Sequence, residues 1–200
     1  MKTVVLKFGG TSVGTIDRIK KVCKIIAFYK KKKNKVVVVS SAMSGVTNEL
    51  VNKSRSISNN FDRAEYDALV STGEQVSCAL IAGRLNHDGF KSRSWVSWQL
   101  PILTNGPHSS ARISLIRIKE LSAYIKSGGI PVITGFQGIS NNSRITTIGR
   151  SGSDATAITL AKFIKADECV IYTDVDGVYT TDSRQYKKAK KIKKIFYDEM

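Results

Sequence analysis

The chain has 200 residues, 42% of them hydrophobic, and carries 32 lysines and arginines against 16 aspartates and glutamates, a formal net charge of +16. This apolar fraction is ordinary for a globular protein, and the length suffices for one α/β domain with a sizeable core. No stretch approaches the roughly 20 apolar residues of a membrane span, so we expect no membrane association.

The positive charge is concentrated in two stretches, residues 30–33 and 187–194, which contain lysine and no arginine. The first falls where a helix is predicted to end, and cations are favoured at that end of the helix dipole. We interpret both stretches as solvated surface rather than as a nucleic-acid site. The excess charge would instead help attract an anionic nucleotide and an acidic substrate.

Three cysteines, Cys23, Cys78 and Cys169, are far apart and embedded in apolar patterns. Their odd number and spacing predict buried free thiols in a reducing compartment, and we expect a cytoplasmic protein. No spacing of cysteines or histidines suggests a metal bound by protein ligands.

Short apolar runs alternate with helical patterns along the chain. The runs predict strands at Val4–Phe8, Val36–Ser40, Arg93–Trp98, Ile130–Gly135 and Cys169–Thr173. Apolar residues at helical spacing predict helices at Ile16–Tyr29, Asn48–Ser58, Ala64–Leu85, Ile116–Ile125 and Asp154–Phe163. Residues 141–147 read as a hairpin-like excursion. This order predicts a single three-layer α/β/α domain with a mainly parallel central sheet, whose ligands bind beyond the carboxyl ends of the strands.

The turn after the first predicted strand has the composition of a phosphate-binding loop. It reads Lys7-Phe8-Gly9-Gly10-Thr11-Ser12-Val13-Gly14 and leads into a predicted helix. Backbone N–H groups, a helix N-terminus and one ammonium therefore meet at one spot, and the paired glycines let a phosphate approach the backbone closely. The loop is neither a Walker A nor a Gly-x-Gly-x-x-Gly motif, and taken alone an ordinary βα turn explains it equally well.

Two later segments are more distinctive. Gly149-Arg150-Ser151-Gly152-Ser153-Asp154 opens a predicted helix, and residues 172–179, Tyr-Thr-Asp-Val-Asp-Gly-Val-Tyr, follow the last predicted strand. Together with residues 40–50, 71–74, 135–138 and 196–200, these segments resemble the amino-acid kinase family, and within it the aspartokinases most closely. The resemblance spans the whole chain in the right order.

This resemblance implies ATP-dependent phosphorylation of the side-chain carboxylate of L-aspartate to 4-phospho-L-aspartate, the first step towards lysine, threonine and methionine. It implies Mg²⁺ held largely by phosphate oxygens and water, as that ion prefers. Residues 1–200 would then be a C-terminally incomplete kinase catalytic domain, without the family's regulatory domains. The resemblance also implies that the chain forms a homo-oligomer or associates with a full-length kinase subunit.

Site residues are carried over by motif match. Lys7 and Asp154 would be catalytic: the lysine cancels charge between two anions, and the aspartate orients the lysine and the metal-bound phosphates. The positions expected to contact the nucleotide are Lys7, Gly9, Gly10, Ser41, Thr173, Asp174, Tyr179 and Arg184. Those expected to contact aspartate are Thr47, Glu74, Arg150 and Ser153.

An ordinary structural role could also explain several of these side chains. Lys7 could point to solvent at a strand end, Asp154 and Thr47 could cap helices, and Glu74 could be a solvated helix charge. The roles in substrate binding nevertheless suit the chemistry, since the planar fork of Arg150 fits a carboxylate and Glu74 can meet an α-ammonium.

Three other functions remain open from the sequence. One is a different amino-acid kinase, such as acetylglutamate, glutamate 5- or uridylate kinase, which shares the opening Lys-x-Gly-Gly. Another is a non-catalytic fragment that binds nucleotide or only associates with an intact kinase subunit. Binding of nucleic acid through the lysine runs is the third, and it would show as steeply salt-dependent DNA retention.

Overall fold

Strands and helices alternate along the chain, as the sequence pattern predicts. The structure, a computed structural model, describes residues 1–149 and 151–173 together with residues 180, 186, 190 and 192. The helices are α1 (Ile16–Lys31), α2 (Val46–Ile57), α3 (Arg63–Val70), α4 (Thr72–His87), α5 (Lys119–Lys126) and α6 (Gly152–Phe163). The strands are β1 (Thr3–Phe8), β2 (Lys35–Ser40), β3 (Ser92–Trp95), β4 (Ile102–Asn105), β5 (Arg112–Ile116), β6 (Ile130–Thr134), β7 (Gln137–Ile139), β8 (Ile145–Thr147) and β9 (Glu168–Tyr172).

The central sheet has five strands in the order β3-β6-β2-β1-β9, and every neighbouring pair is parallel. Successive side chains of β1 pack into two hydrophobic cores on opposite faces of the sheet. Val4, Leu6 and Phe8 pack with α1 and α4, whereas Val5 packs with α5 and α6. Such burial on both faces explains why β1 and β2 are continuous apolar runs. The predicted three-layer α/β/α fold with a parallel central sheet is confirmed.

A second, four-stranded sheet in the order β5-β4-β7-β8 flanks the central one. Within it, β4 and β5 are antiparallel, β7 and β8 are antiparallel, and β4 runs parallel to β7. The hairpin expected around residues 141–147 is the β7–β8 hairpin. The rest of this sheet was not predicted, because its strands have only three to five residues and β5 is mostly exposed, so no apolar run reveals it.

Several predicted boundaries were wrong. The single helix expected over Ala64–Leu85 is two helices, α3 and α4, which meet at Ser71. The helix expected to begin at Ile116 begins at Lys119, because Ile116 is the last residue of β5. Cys169 was expected to be buried but is exposed, since β9 is the outermost strand of the sheet within the described residues.

Gly135, directly after β6, lets α6 pack closely against the carboxyl edge of the sheet. A Cβ atom at this position would lie 2.7 Å from the Cβ of Ser153 and 2.9 Å from its Cα. Real Cβ atoms essentially never come this close to another heavy atom, and the 2.9 Å distance is to a backbone atom, which cannot rotate away as a side chain can. A side chain at position 135 would therefore displace the first turn of α6.

We predict that Gly135→Ala lowers the free energy of unfolding by about 1–3 kcal/mol, the usual cost of overpacking a rigid site. Gly83→Ala is the matched control, because Gly83 lies inside α4 and a Cβ there would meet no atom within 4 Å. The control should gain about 0.5–1 kcal/mol from its better helix propensity. Urea unfolding measures both, and equal effects of the two substitutions would contradict the close approach of α6.

Candidate active site

One cleft lies where the carboxyl ends of β1 and β2 meet the N-terminal ends of three helices, α2, α4 and α6. Its volume is about 310 Å³. The sequence-predicted residues that line it are Lys7, Gly10, Ser41, Thr47, Glu74, Ser153 and Asp154. The parallel sheet thus brings together side chains that are up to 147 positions apart in the sequence, from Lys7 to Asp154.

Lys7 is the one charged residue of β1, and only 6% of it is exposed. Because side chains alternate along a strand, Lys7 lies on the same face as Val5, the face covered by α6. Its Nζ lies 2.6 Å from Oδ1 of Asp154, in the first turn of α6. A buried ammonium requires such a partner, because an unpaired charge is costly away from water.

The Gly9-Gly10 turn fits tightly between neighbouring strand ends. The Gly9 N–H donates to the carbonyl of Tyr172 at 3.0 Å, and a Cβ at position 9 would lie 3.4 Å from the Lys7 ammonium nitrogen. A Cβ on Gly10 would lie 2.9 Å from the carbonyl oxygen of Ala42. Glycine at position 10 therefore lets the turn contact the segment after β2, and glycine at position 9 leaves the space beside the ammonium free of a side chain.

Two helix N-termini at the cleft begin with left-handed backbone. Gly45, with φ of +87°, precedes α2, and Ser151, with φ of +57°, precedes α6. Thr47 and Ser153 lie in the first turns of these helices and border the cleft. Because helix N-termini carry partial positive charge and free N–H groups, this arrangement favours anions such as carboxylates and phosphates.

Glu74 is the second carboxylate that lines this cleft. It is 3% exposed, its Oε1 accepts a hydrogen bond from the Ala42 N–H at 3.1 Å, and its Oε2 has no hydrogen-bond partner within the described residues. Burial raises the pKa of Glu74 to about 7, against the opposing effect of the Ala42 N–H. A buried carboxylate oxygen that lacks a partner is complementary to a cation such as an ammonium.

Thr173 lies in a different place. It borders a second cleft of about 320 Å³, with Phe8, Arg18 and Tyr172, on the α1 side of β1. Of the remaining predicted residues, Gly9 lies between Lys7 and the Tyr172 carbonyl. Arg150, Asp174, Tyr179 and Arg184 lie outside the described residues.

Sequence reasoning missed some residues that border the first cleft, notably Met43, Ser44 and Phe136. Phe136 belongs to the Gly-Phe-Gln-Gly segment that supports the family resemblance, but its φ of +68° could not be foreseen. Within residues 1–149 and 151–173, no group of three or more acidic, histidine or cysteine side chains could hold a metal ion. None of the described helices is long and apolar enough to cross a membrane.

Residues 2–200 match the model of the amino acid kinase family. The chain belongs to this family. Among curated relatives, the aspartokinase of Geobacillus stearothermophilus is 50% identical over 200 residues, and that of Rickettsia conorii is 49% identical over 203 residues. Both matches cover all of this chain but 49% and 51% of the relatives, so the chain spans about half their length.

A similar solved structure is E. coli aspartokinase III in complex with aspartate and ADP. It is 27% identical, with a TM-score of 0.81, and the match covers 96% of this chain and 53% of that one. The family and the fold class expected from the sequence are therefore confirmed.

The raised pKa of Glu74 predicts how stability depends on pH. Folding raises this pKa from 4.5 to about 7, so the protonated side chain contributes stability that is fully present below pH 4.5 and is lost as the pH rises through about 7. Glu74→Gln cannot titrate and should escape this loss. Between pH 5 and pH 8 we expect the unfolding free energy of the parent to fall relative to the variant, by on the order of 2–3 kcal/mol.

Urea denaturation at the two pH values measures this difference. Glu49→Gln is the control, because Glu49 is an exposed residue of α2 that pairs with Lys53, and it should not reproduce the effect. An identical pH dependence in the parent and Glu74→Gln would show that Glu74 is not desolvated.

Proposed function

We propose that the chain is part of an aspartate kinase, which transfers the terminal phosphoryl group of ATP to the side-chain carboxylate of L-aspartate. The observation that carries the proposal is that one cleft holds both a buried ammonium, on Lys7, and a buried carboxylate oxygen, on Glu74, that has no hydrogen-bond partner among the described residues. The first suits a phosphate and the second an amino acid. Relatives that are about half identical to this chain are aspartokinases, which supports the same conclusion.

The reaction joins two anions, so its main electrostatic requirement is to reduce their repulsion. A carboxylate oxygen of aspartate forms a bond to the γ-phosphorus, the bond from that phosphorus to the β–γ bridging oxygen breaks, and ADP leaves with the electron pair. The acceptor is already ionised near neutral pH, so no general base is needed. We assign Lys7 to stabilise the charge on the transferred group, and Asp154 to hold the ammonium in place.

The other groups of the substrate are assigned to further residues that line the same cleft. Glu74, ionised above about pH 7, would accept the α-ammonium through Oε2. Thr47 and Ser153, in the first turns of α2 and α6, would donate to the carboxylates. We propose that Arg150 adds a two-pronged contact to one carboxylate, because its guanidinium geometry suits that partner.

For the nucleotide, we propose that the Gly9-Gly10 turn and Ser41 contact the phosphates beside Lys7, and that Thr173, Asp174, Tyr179 and Arg184 contact the rest of the nucleotide. The bond from the Gly9 N–H to the Tyr172 carbonyl supports this division, because it joins the phosphate turn to the segment that continues into Thr173. Mg²⁺ would neutralise phosphate charge. The cleft fits an ion held mainly by phosphate oxygens and water, since Asp154 is its one described aspartate.

The extent of the matches supports a proposal about the whole protein. We propose that residues 1–200 correspond to the N-terminal part of a kinase catalytic domain, since they align with about half of each relative. We further propose a cytoplasmic enzyme of lysine, threonine and methionine synthesis, which acts as a homo-oligomer or together with a full-length kinase subunit.

The test is turnover with alternative acceptors. ADP release is measured with ATP and Mg²⁺ in the presence of aspartate, glutamate or UMP, and hydroxylamine traps any acyl phosphate as a hydroxamate. We expect ADP release and hydroxamate formation when aspartate is the acceptor, and neither when glutamate or UMP replaces it. Turnover with glutamate or UMP would point to another amino-acid kinase. Binding of ATP without binding of aspartate would indicate a nucleotide-binding protein that is not an aspartate kinase.

In the active enzyme, Lys7→Ala should lower kcat by roughly 10²–10³-fold and change the KM for aspartate far less, because the charge acts chiefly in the transition state. Lys2→Ala is the matched control, since Lys2 directly precedes the same strand but is exposed and pairs with Glu168 at the surface. The control should retain the parental kcat. Equal turnover of Lys7→Ala and the parent would remove Lys7 from the mechanism.

A further inference from the structure

Asp67, in α3, is a buried carboxylate outside the cleft. Its side chain is fully buried, and it contacts polar groups of two distant segments. Oδ2 accepts hydrogen bonds from the N–H groups of Ser109 at 2.9 Å and Thr147 at 3.0 Å, and lies 2.8 Å from Nδ1 of His108. Oδ1 accepts from the hydroxyls of Ser109 at 3.1 Å and Thr147 at 2.7 Å. Both oxygens are therefore well supplied with donors, as a buried acid requires.

The two segments that Asp67 holds lie directly behind the turn that leads into α6. Thr147 is the last residue of β8, two positions before Gly149, which borders the cleft. A Cβ on Gly149 would lie 3.4 Å from the carbonyl oxygen of Ser109, so the Ser109 segment backs that turn. The Ala111 N–H also donates to the Thr147 carbonyl at 3.0 Å, which joins the two segments to each other.

The helix that carries Asp67 leads directly to Glu74. α3 ends at Val70, and α4 begins at Thr72, with Glu74 in its first turn. The Ser71 carbonyl between the two helices accepts a hydrogen bond from Nε2 of Gln137 at 2.8 Å. Gln137 is fully buried in β7, and its register partner in β8 is Thr147.

The α3–α4 unit is thus attached to the β7–β8 hairpin at two adjacent points, through Asp67 to Thr147 and through Ser71 to Gln137. One wall of the cleft, Glu74, belongs to this helical unit. Another part of the cleft lining, which begins at Gly149, follows the hairpin in the sequence. The buried hydrogen bonds therefore connect the two walls by a path that does not cross the cleft.

We propose that Asp67 is a positioning residue for the amino-acid substrate: it sets the spacing between Glu74 and the turn that begins at Gly149. This inference rests on the proposed function, because those two walls are assigned to the ammonium and the carboxylates of aspartate. It predicts that loosening the Asp67 contacts weakens aspartate binding while nucleotide binding is preserved.

The two neighbouring threonines at the end of β8 provide a matched pair of variants. Thr147→Val removes a buried hydroxyl that donates to Asp67. Thr146→Val removes an equally buried hydroxyl, 2.6 Å from the Oγ1 of Thr104 and without a contact to Asp67. Both variants lose one buried hydrogen bond and should be less stable than the parent, Thr147→Val more so because its lost bond is to a carboxylate. Asp67→Ala, which removes all the contacts, should give a larger effect of the same kind.

Calorimetric titration of each variant with ADP and then with aspartate tests the inference. We expect the Kd of aspartate to rise about tenfold in Thr147→Val, because the free energy of one lost hydrogen bond would then have to come from the binding of aspartate. The rise should be larger in Asp67→Ala. In both variants the Kd of ADP should stay within about twofold. Thr146→Val should bind both ligands as the parent does. Equal changes in aspartate affinity for the two threonine variants would overturn the inference.

Amide hydrogen exchange supplies a readout that needs no substrate. The N–H groups of Ile148 and Gly152 donate to the carbonyls of Phe136 and Gly149. In Thr147→Val these two N–H groups should exchange faster than in the parent, with the N–H of Ile133 in β6 as the reference. In Thr146→Val their exchange should not change. Unchanged exchange in Thr147→Val would also overturn the positioning role. If the parent binds ADP but not aspartate, the proposed function fails, and the exchange comparison alone then decides whether Asp67 positions the turn.

Discussion

The ion pair between the buried Lys7 and the partly exposed Asp154 determines how the cleft is built. A strand that is apolar on both faces carries one ammonium, and an unpaired ammonium in that environment would be costly. The counter-charge comes from the first turn of α6, so α6 must begin at the carboxyl end of β1. Without Asp154 the Lys7 ammonium would lose this partner while it remains buried, which constrains where α6 can begin.

Small residues make this geometry possible. Gly135 lets the first turn of α6 approach β6, and Gly10 lets the turn after β1 approach the segment after β2. The result is a cleft that contains the Lys7 ammonium, the N-terminal ends of helices and the Glu74 carboxylate. Groups of both charges are therefore available to a ligand that itself carries an ammonium and carboxylates.

The sequence predicted what depends on local pattern. β1, β2 and β6 are continuous apolar runs because both faces of the sheet are covered. The motifs that resemble the kinase family predicted that Lys7, Glu74 and Asp154 belong to one site, and the structure brings these residues into one cleft. It did not predict features set by tertiary contacts. β4 and β5 are too short and too polar to recognise, and the division between α3 and α4 lies at Ser71, whose φ and ψ are still helical. Asp67 reads as an ordinary helix-surface acid, because its donors come from residues 41 to 80 positions away.

The central claim is that one cleft holds the transferred phosphate at Lys7 and the amino acid at Glu74. A crystal structure with a non-hydrolysable ATP analogue, Mg²⁺ and L-aspartate tests it most directly. We predict that Nζ of Lys7 contacts the terminal phosphate, that Oε2 of Glu74 contacts the α-ammonium, and that the aspartate side chain points towards the phosphate. An aspartate bound elsewhere, or a terminal phosphate remote from Lys7, would contradict the account.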